Sequence, residues 1–390
     1  MSETALKHIE HLSITIGPRG TATADERAAH DYVEKALADV GYEPQREAVQ
    51  VYASVYQPFI LAMALMLLAV FLFYNFGGAG ALAAAVLGII VAGSALLELL
   101  LEDNPLRWFL PVAPSQNVLA VTRPEGEARR KLVLVAHVDT HRTPLIWVSP
   151  GTFAAYRVLS ALGVIGLPAG VVVFVVGMFA TSDWPRQVAL GLAALYGLLL
   201  LVVLQAEFTE HTRGANDNAS GVGVLLALAE RLKRAPLPNS EVWLLADTAE
   251  ETGAFGMRDF VRRHKAELEG AVILNVDSVA GEGVGPCFLR SETFLVAQRY
   301  PADLLALAEQ VAADRPDLGA YSHARQGAYT DGGVALKAGF KALSWVGYTK
   351  DGWIPQWHSP DDEFELIDKG ALDRTEEFVW EVMRRLDLEQ

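Results

Sequence analysis

The chain has 390 residues, enough for one large domain or two ordinary ones. Hydrophobic residues make up 52% and charged residues 20%, a balance that leans away from a soluble enzyme and toward a membrane protein. The net charge of -15 argues against a nucleic-acid partner, because phosphates need a basic surface, and the single cysteine, Cys287, excludes an internal disulfide or a Cys-rich metal knuckle.

The N-terminus lacks the basic stretch, apolar run and cleavage site of a secretion signal. Residues 2–12 and Ala24–Val40 are predicted helices. In the second, Ala24, Ala28, Tyr32, Ala36 and Leu37 share an apolar face and Gly41 supplies a stop. The sequence then carries no charge from Val51 to Leu97, and Asn75-Phe-Gly-Gly78 divides this region into Phe59–Tyr74 and Ala79–Leu101. A second apolar region runs from Val158 to Gln205, and Thr181–Arg186 divides it into Val158–Ala180 and Gln187–Ala206. At about 1.5 Å per residue, segments of about 20 residues span a hydrocarbon core of roughly 30 Å. Tyr74, Trp108 and Trp184 lie near their ends, where amphipathic rings suit the headgroups.

Two helical hairpins return the chain each time to the side it left. The expected organisation is therefore a catalytic domain in three parts, 1–56, 102–157 and 207–390, interrupted by transmembrane hairpins at 57–101 and 158–206. Arg107, Arg142, Arg157 and Arg213 flank the domain side, against Arg186 alone at the opposite turns. This bias points to a multi-pass integral membrane protein with a cytoplasmic catalytic domain.

Outside the apolar segments, Asn117–Val121, Lys131–Ala136, Glu241–Ala246, Ala271–Val276 and Lys341–Val346 are predicted strands. Gly221–Leu232, Phe255–His264, Ala302–Ala313 and Lys369–Leu386 are predicted helices. The alternation predicts an α/β fold with a mixed central sheet flanked by helices.

The chemistry-bearing residues gather at one structural place. His137 follows the second strand, Glu250 and Glu251 follow the third, and Asp277 follows the fourth. Asp217 lies in Gly214-Ala-Asn-Asp-Asn-Ala-Ser-Gly221 just before a helix, and His358 lies in the turn Gln356-Trp-His-Ser-Pro-Asp-Asp362. Carboxyl ends of strands in an open α/β sheet are where ligand sites form. Six carboxylate and imidazole groups meeting there suggest a metal, since buried carboxylates need compensating charge. Ser220 suits capping or packing and heads no nucleophile assembly.

These motifs, in this order, resemble the zinc-dependent aminopeptidase family of the clan MH type, which includes bacterial leucyl aminopeptidases and glutamate carboxypeptidase. The resemblance rests on Ala-His-Val-Asp-Thr at 136–140, the 214–221 motif, Ala-Glu-Glu-Thr-Gly-Ala-Phe-Gly at 249–256, Asp277 and His358. Gly-Pro-Arg-Gly-Thr at 17–21 also fits the family's opening region. The resemblance implies a zinc-exopeptidase-like fold and two Zn²⁺ ions, with Co²⁺ or Mn²⁺ as substitutes. It implies that Asp217 bridges both ions, that His137 and Asp277 complete one position, and that Glu251 and His358 complete the other. Glu250 becomes the general base, Asp139 orients His137, and Asp331 helps to shape the pocket.

The implied reaction is hydrolysis of a peptide or related amide, by an aminopeptidase in preference to a carboxypeptidase or other amidohydrolase. Arg325 does not decide between the two chain ends. A one-zinc glutaminyl cyclotransferase, a non-catalytic membrane receptor or scaffold, and a transporter are the other readings. Because the hairpins interrupt the chain on either side of the first two ligand motifs, the expected active-site mouth lies near the bilayer. A hydrophobic or membrane-associated peptide is then the expected substrate, with simple tethering as the alternative. Oligomeric state is not readable from these residues.

Overall fold

The computed structural model describes residues 2–124, 126–293 and 295–388. In chain order the elements begin with helices α1 (Ser2–Glu10) and α2 (Ala24–Asp39) and strand β1 (Gln45–Val51). The apolar helices α3 (Gln57–Asn75) and α4 (Gly77–Leu99) follow. Strands β2 (Ala113–Thr122) and β3 (Arg130–His137) precede a second apolar pair, α5 (Pro150–Gly177) and α6 (Trp184–Glu207). The rest runs α7 (Gly221–Arg234), β4 (Ser240–Asp247), α8 (Phe255–Arg263), β5 (Val272–Asp277), β6 (Cys287–Thr293) and β7 (Ala297–Arg299). It closes with α9 (Ala302–Asp314), β8 (Tyr321–Gln326), α10 (Asp331–Lys337), β9 (Lys341–Val346) and α11 (Lys369–Leu388).

The chain separates into two compact units. The polar unit takes the residues through Ala53, Val112–His141 and everything from His211 on; the apolar unit takes Ser54–Pro111 and Arg142–Glu210. Residues 54–56, 102–111, 142–157 and 207–210, expected with the catalytic segments, group with the apolar helices. Two local interactions explain this. Arg107 is buried and pairs with Glu98 at the end of α4. α5 begins eight residues before the predicted Val158, because Ser149 and Thr152 form a reciprocal cap ahead of Pro150.

In the polar unit the described strands form a nine-stranded mixed sheet in the order β1-β2-β4-β3-β5-β9-β6-β7, with β8 paired to β6. β4, β3, β5 and β9 run parallel, and β1 and β2 add an antiparallel edge. The central strands are buried on both faces, as expected for a parallel sheet covered by helices. Strands β1, β6, β7 and β8 were not anticipated. β1, at the edge of the sheet, reads Gln45-Arg-Glu-Ala-Val-Gln-Val51, which carries charge and lacks a continuous apolar run, as natural sheet edges do.

In the apolar unit α3 packs on α4 and α6, and α5 packs on α4 and α6, closing a four-helix ring. Its core is built from Met66, Phe73, Phe174, Tyr196 and Leu199 with small residues between them. A Cβ on Gly177 would meet the Phe73 ring at 2.3 Å, so a glycine is what allows α3 and α5 this approach. Arg186 lies over the Tyr74 ring, 5.8 Å from its centre, joining the two hairpin turns. All four helices are long and apolar enough to cross a membrane, and only 22–44% of each apolar window is buried. Their outward faces carry Phe71, Ile89, Ile165 and Leu201.

Candidate metal centre

β4, β3 and β5 are parallel neighbours, so their carboxyl ends meet along one edge of the sheet. His137 is the last residue of β3 and Asp277 the last of β5. β4 ends at Asp247, and Thr248-Ala249 leads directly to Glu250 and Glu251. Asp217 sits in the wide turn Ala215–Ser220 that opens α7. Ala249, Ser278 and His358 all adopt positive φ (57°, 57° and 54°), a conformation non-glycine residues hold only where surrounding structure enforces it.

The structure brings all the expected ligands together, each nearly or wholly buried. His137 Nε2 lies 3.4 Å from Asp217 Oδ1 and 3.8 Å from Asp277 Oδ1. His358 Nε2 lies 3.4 Å from Asp217 Oδ2 and 3.2 Å from Glu251 Oε2. The two oxygens of Asp217 are thus divided between two imidazoles. Donor atoms fall into two groups of three, His137–Asp217–Asp277 and His141–Glu251–His358, within each of which all atoms lie within 4.8 Å of one another.

Local hydrogen bonds explain why the sequence holds these groups in place. His137 Nδ1 is 3.1 Å from the Asp139 carbonyl and 3.5 Å from Asp139 Oδ1. A proton on Nδ1 donated to these oxygens would leave the Nε2 lone pair available to a cation held with Asp217 and Asp277. Asp139 also accepts from Thr21 Oγ1 at 2.7 Å and from the Glu250 amide at 3.2 Å, so it ties the first ligand motif to the paired glutamates. Asp362 accepts from the amides of Asn216 and Asp217, at 2.6 and 2.9 Å. Asn218 clips the turn to the end of β5: its Oδ1 accepts from Gly221 and Ser278 amides and its Nδ2 donates to the Val276 carbonyl. Ser220 donates to Asn216 O and accepts from the Val279 amide, a packing role.

Gly214 has φ of 58°, and a Cβ there would lie 2.3 Å from the Asp217 carbonyl. Beneath the loops, buried Arg19 donates to five carbonyls: Leu12, Gly17, Val138, Arg213 and Gly214.

Burial opposes the charge on Asp217, but hydrogen bonds and charge from His137 and His358 outweigh it and hold this carboxyl well below its usual range. Burial likewise opposes protonation of His358, yet Glu251 and Asp217 raise it to about 9. His137 is raised well above its ordinary value by Asp139, Asp217 and Asp277 despite its burial. Glu251 is pushed up to about 7 by burial and by Asp217. Glu250 is pushed well above the carboxylate range by burial, with Asp331, Glu251 and Asp277 adding to it.

A divalent cation fits these residues. Four buried carboxylates, Asp217, Glu250, Glu251 and Asp277, face two imidazoles, and Glu251 Oε1 has no hydrogen-bond partner although it is buried. Mixed nitrogen and oxygen donors of this kind suit zinc. Buried Arg325 adds charge from the far side, with Nη1 3.3 Å from Asp277 Oδ2. Asp331 is fully buried against Asp247, the end of β4.

Sequence reasoning missed His141, Asp362, Asp247 and Arg19. His141 had a signal: in the extended stretch leaving β3, residues 137, 139 and 141 alternate onto one face. The other three support the turns through backbone contacts or burial, and no spacing rule marks them.

A family model described as Peptidase family M28 matches residues 201–383. Aminopeptidase YwaD of Bacillus subtilis is 29% identical over 172 residues, covering 43% of this chain and 36% of that protein. The two curated relatives matched are themselves spanned over only 56% and 36% of their lengths. Among solved structures, a leucine aminopeptidase precursor from Bacteroides thetaiotaomicron superposes with a TM-score of 0.60 at 15% identity, covering 100% of this chain and 98% of that one. Porphyromonas gingivalis glutaminyl cyclase superposes with a TM-score of 0.59 at 18% identity, covering 99% and 98%. The chain therefore has the mixed α/β fold of the zinc exopeptidases, and its C-terminal half carries the pattern of Peptidase family M28.

Proposed function

We propose that this chain is a membrane-embedded, zinc-dependent metallopeptidase of the exopeptidase type that holds two ions, with aminopeptidase action favoured. The observation that carries the reading is the division of Asp217 between His137 and His358. One position would be held by His137, Asp217 and Asp277, the other by Asp217, Glu251 and His358. When bound, paired zinc supplies Lewis-acid polarisation of a scissile carbonyl and makes a nearby water more acidic.

The protein's own groups do the rest. With the charge of bound cations offsetting the burial that otherwise keeps it protonated, ionised Glu250, among the ligands but outside both donor groups, would take the proton of the attacking water and return it to the leaving amine. Its backbone is fixed on both sides, by its amide on Asp139 and by Tyr329 Oη donating to its carbonyl at 3.1 Å. Asp139 holds the His137 ring with Nε2 forward. The buried walls exclude bulk water, which strengthens each electrostatic contact.

The glutaminyl cyclase likeness keeps a one-zinc cyclotransferase as the second reading. His137 and Asp277 together beside Asp217 favour two positions. The substrate is a peptide or related amide, and the outward apolar surface of α3–α6 supports a hydrophobic or membrane-partitioned one. The cytoplasmic side for the polar unit is supported by Arg107, Arg142, Arg157 and Arg213.

The test is a panel of peptides blocked at either end, offered to the purified chain in detergent with zinc and to Glu250→Gln. An aminopeptidase cleaves only peptides with a free amino end. Glu250→Gln is expected to lower kcat by about 10²–10⁴-fold while metal content stays unchanged. Cleavage that needs a free carboxyl end instead would reverse the favoured direction. Products from Gln-peptides that lack ammonia, with no cleavage, would establish the cyclotransferase.

A further inference from the structure

Strand β8 brings to the centre one buried cation that the proposed reaction does not use. Arg325 is 4% exposed, as enclosed as Asp277 beside it. Its Nη1 lies 3.3 Å from Asp277 Oδ2, while the other oxygen of Asp277 faces His137. This is the only hydrogen bond of the guanidinium among the described residues, and its buried Nε has none. The guanidinium carbon sits 5.1 Å from the centre of the Trp357 ring, a cation–π contact that engages the flat face and leaves the N–H edge free. Glu292, paired in register with Arg325 across β6 and β8, accepts from Thr330 Oγ1 at 2.9 Å and Tyr300 Oη at 3.3 Å. Burial raises Glu292 to about 7, so it offers only part of a charge in return.

A guanidinium carries five donors in a planar fork, and a buried charge short of partners is costly. The shortfall grows when the proposed centre is loaded. Two divalent cations balance Asp217, Glu250, Glu251 and Asp277 charge for charge, which leaves Arg325 without a counter-charge of its own. Such a group repels an ammonium and attracts an anion, and a carboxylate matches the fork in both charge and shape.

We infer that Arg325 is a specificity-determining residue that holds the carboxylate end of a short peptide beside the centre, an inference that rests on the metallopeptidase reading above. The free carboxyl group then lies close to the scissile bond. For an aminopeptidase this makes di- and tripeptides the preferred substrates, because a longer chain carries its carboxylate out of reach of the fork.

Arg325 has a competing role, in which it only balances Asp277. A dipeptide and the same dipeptide amidated at its carboxyl end separate the two. The kcat and KM for both are measured on the full, zinc-loaded chain in detergent, for the unsubstituted protein, Arg325→Gln and Arg325→Lys, together with the zinc content of each. Calorimetric binding of both peptides to Glu250→Gln, with and without Arg325→Gln, reads recognition in the absence of turnover.

The unsubstituted protein is expected to favour the free carboxylate by about 10–100-fold, carried by KM, the size of effect a charged hydrogen-bonded pair supplies. Arg325→Gln loses that preference through a rise in KM for the free-carboxylate peptide and keeps its zinc, and Arg325→Lys retains a part of the preference. The affinity difference measured in the Glu250→Gln protein disappears in the same way. Equal handling of the two peptides by the unsubstituted protein, or a preference that survives in Arg325→Gln, would overturn the assignment. So would a parallel loss on both peptides accompanied by loss of zinc, the mark of a residue that serves only Asp277. A zinc-loaded unsubstituted protein that cleaves neither peptide would overturn the metallopeptidase reading itself, which is a separate outcome.

Discussion

At the scale of single residues, the centre depends on groups that touch no ligand atom. Arg19 is the clearest. Its guanidinium is fully buried, burial lowers its pKa to about 10, and it remains charged at neutral pH. Its planar fork joins the loop after α1, the end of the first ligand motif and the 213–214 backbone. An ammonium cannot reproduce five donors in one plane. Arg19→Lys is therefore expected to destabilise the polar unit by about 2–4 kcal/mol, as charged hydrogen bonds are lost and carbonyls are left unpaired. A lowered thermal midpoint, with weakened metal binding at both positions, is the check; an unchanged midpoint would refute the account. Residues of this kind explain what sequence reading could not see. His137, Asp217, Glu251, Asp277 and His358 stand in recognisable motifs at strand ends and turns. Arg19 and Asp362 lie within motifs read from the sequence, but their roles, like that of Asp247, are defined only by what the folded chain brings to them.

At the scale of elements, α11 carries a buried carboxylate away from the centre. Neither oxygen of Glu376 has a hydrogen-bond partner, and burial raises its pKa from 4.5 to about 7, with Arg231 offsetting only part of the shift. The folded form thus favours the protonated acid. Stability is fully present below about pH 4.5 and is lost as pH rises through about 7. The loss is on the order of 1–3 kcal/mol. Glu376→Gln fixes the side chain in a neutral form, so its stability relative to the unsubstituted protein should rise between about pH 5 and pH 8. Denaturant midpoints across that range measure it, and parallel curves would disprove it.

Elements also set the limit of the sequence reading. The central strands were legible to within a residue or two because they are continuous apolar runs. β1, β6, β7 and β8 were not, because short strands broken by charged and polar residues gain their place from pairing and carry little periodic signal. The start of α5 was missed for a related reason: a cap and a proline, and not hydrophobicity, decide where it begins.

At the scale of the whole molecule, the chain joins a polar α/β unit to a unit of four long apolar helices. Only 22–44% of each apolar helical window is buried, and large apolar side chains such as Phe71, Ile89, Ile165 and Leu201 are exposed. Water tolerates exposed apolar patches of only a few hundred Å² on a typical monomer, whereas helices in lipid satisfy their backbone internally and need no polar cover. Alkaline carbonate washing is therefore expected to leave the chain in the membrane pellet, with release only by detergent; recovery in the supernatant would contradict the membrane reading.

On the metallopeptidase reading, the polar unit depends on bound cations. Without them, its carboxylates are buried together against too little positive charge. Chelation should lower the thermal midpoint and added zinc should restore it, by about 4 kcal/mol when free zinc exceeds its Kd a thousandfold. Intrinsic fluorescence melts with and without chelator decide this, and coincident curves would count against any ion being held.

The donors are also ordered along the chain in a way that times their assembly. His137 precedes α5, while Asp217, Glu251, Asp277 and His358 all follow α6. All four apolar helices are therefore synthesised before the second of these five residues, and the set is completed only by the C-terminal part of the chain.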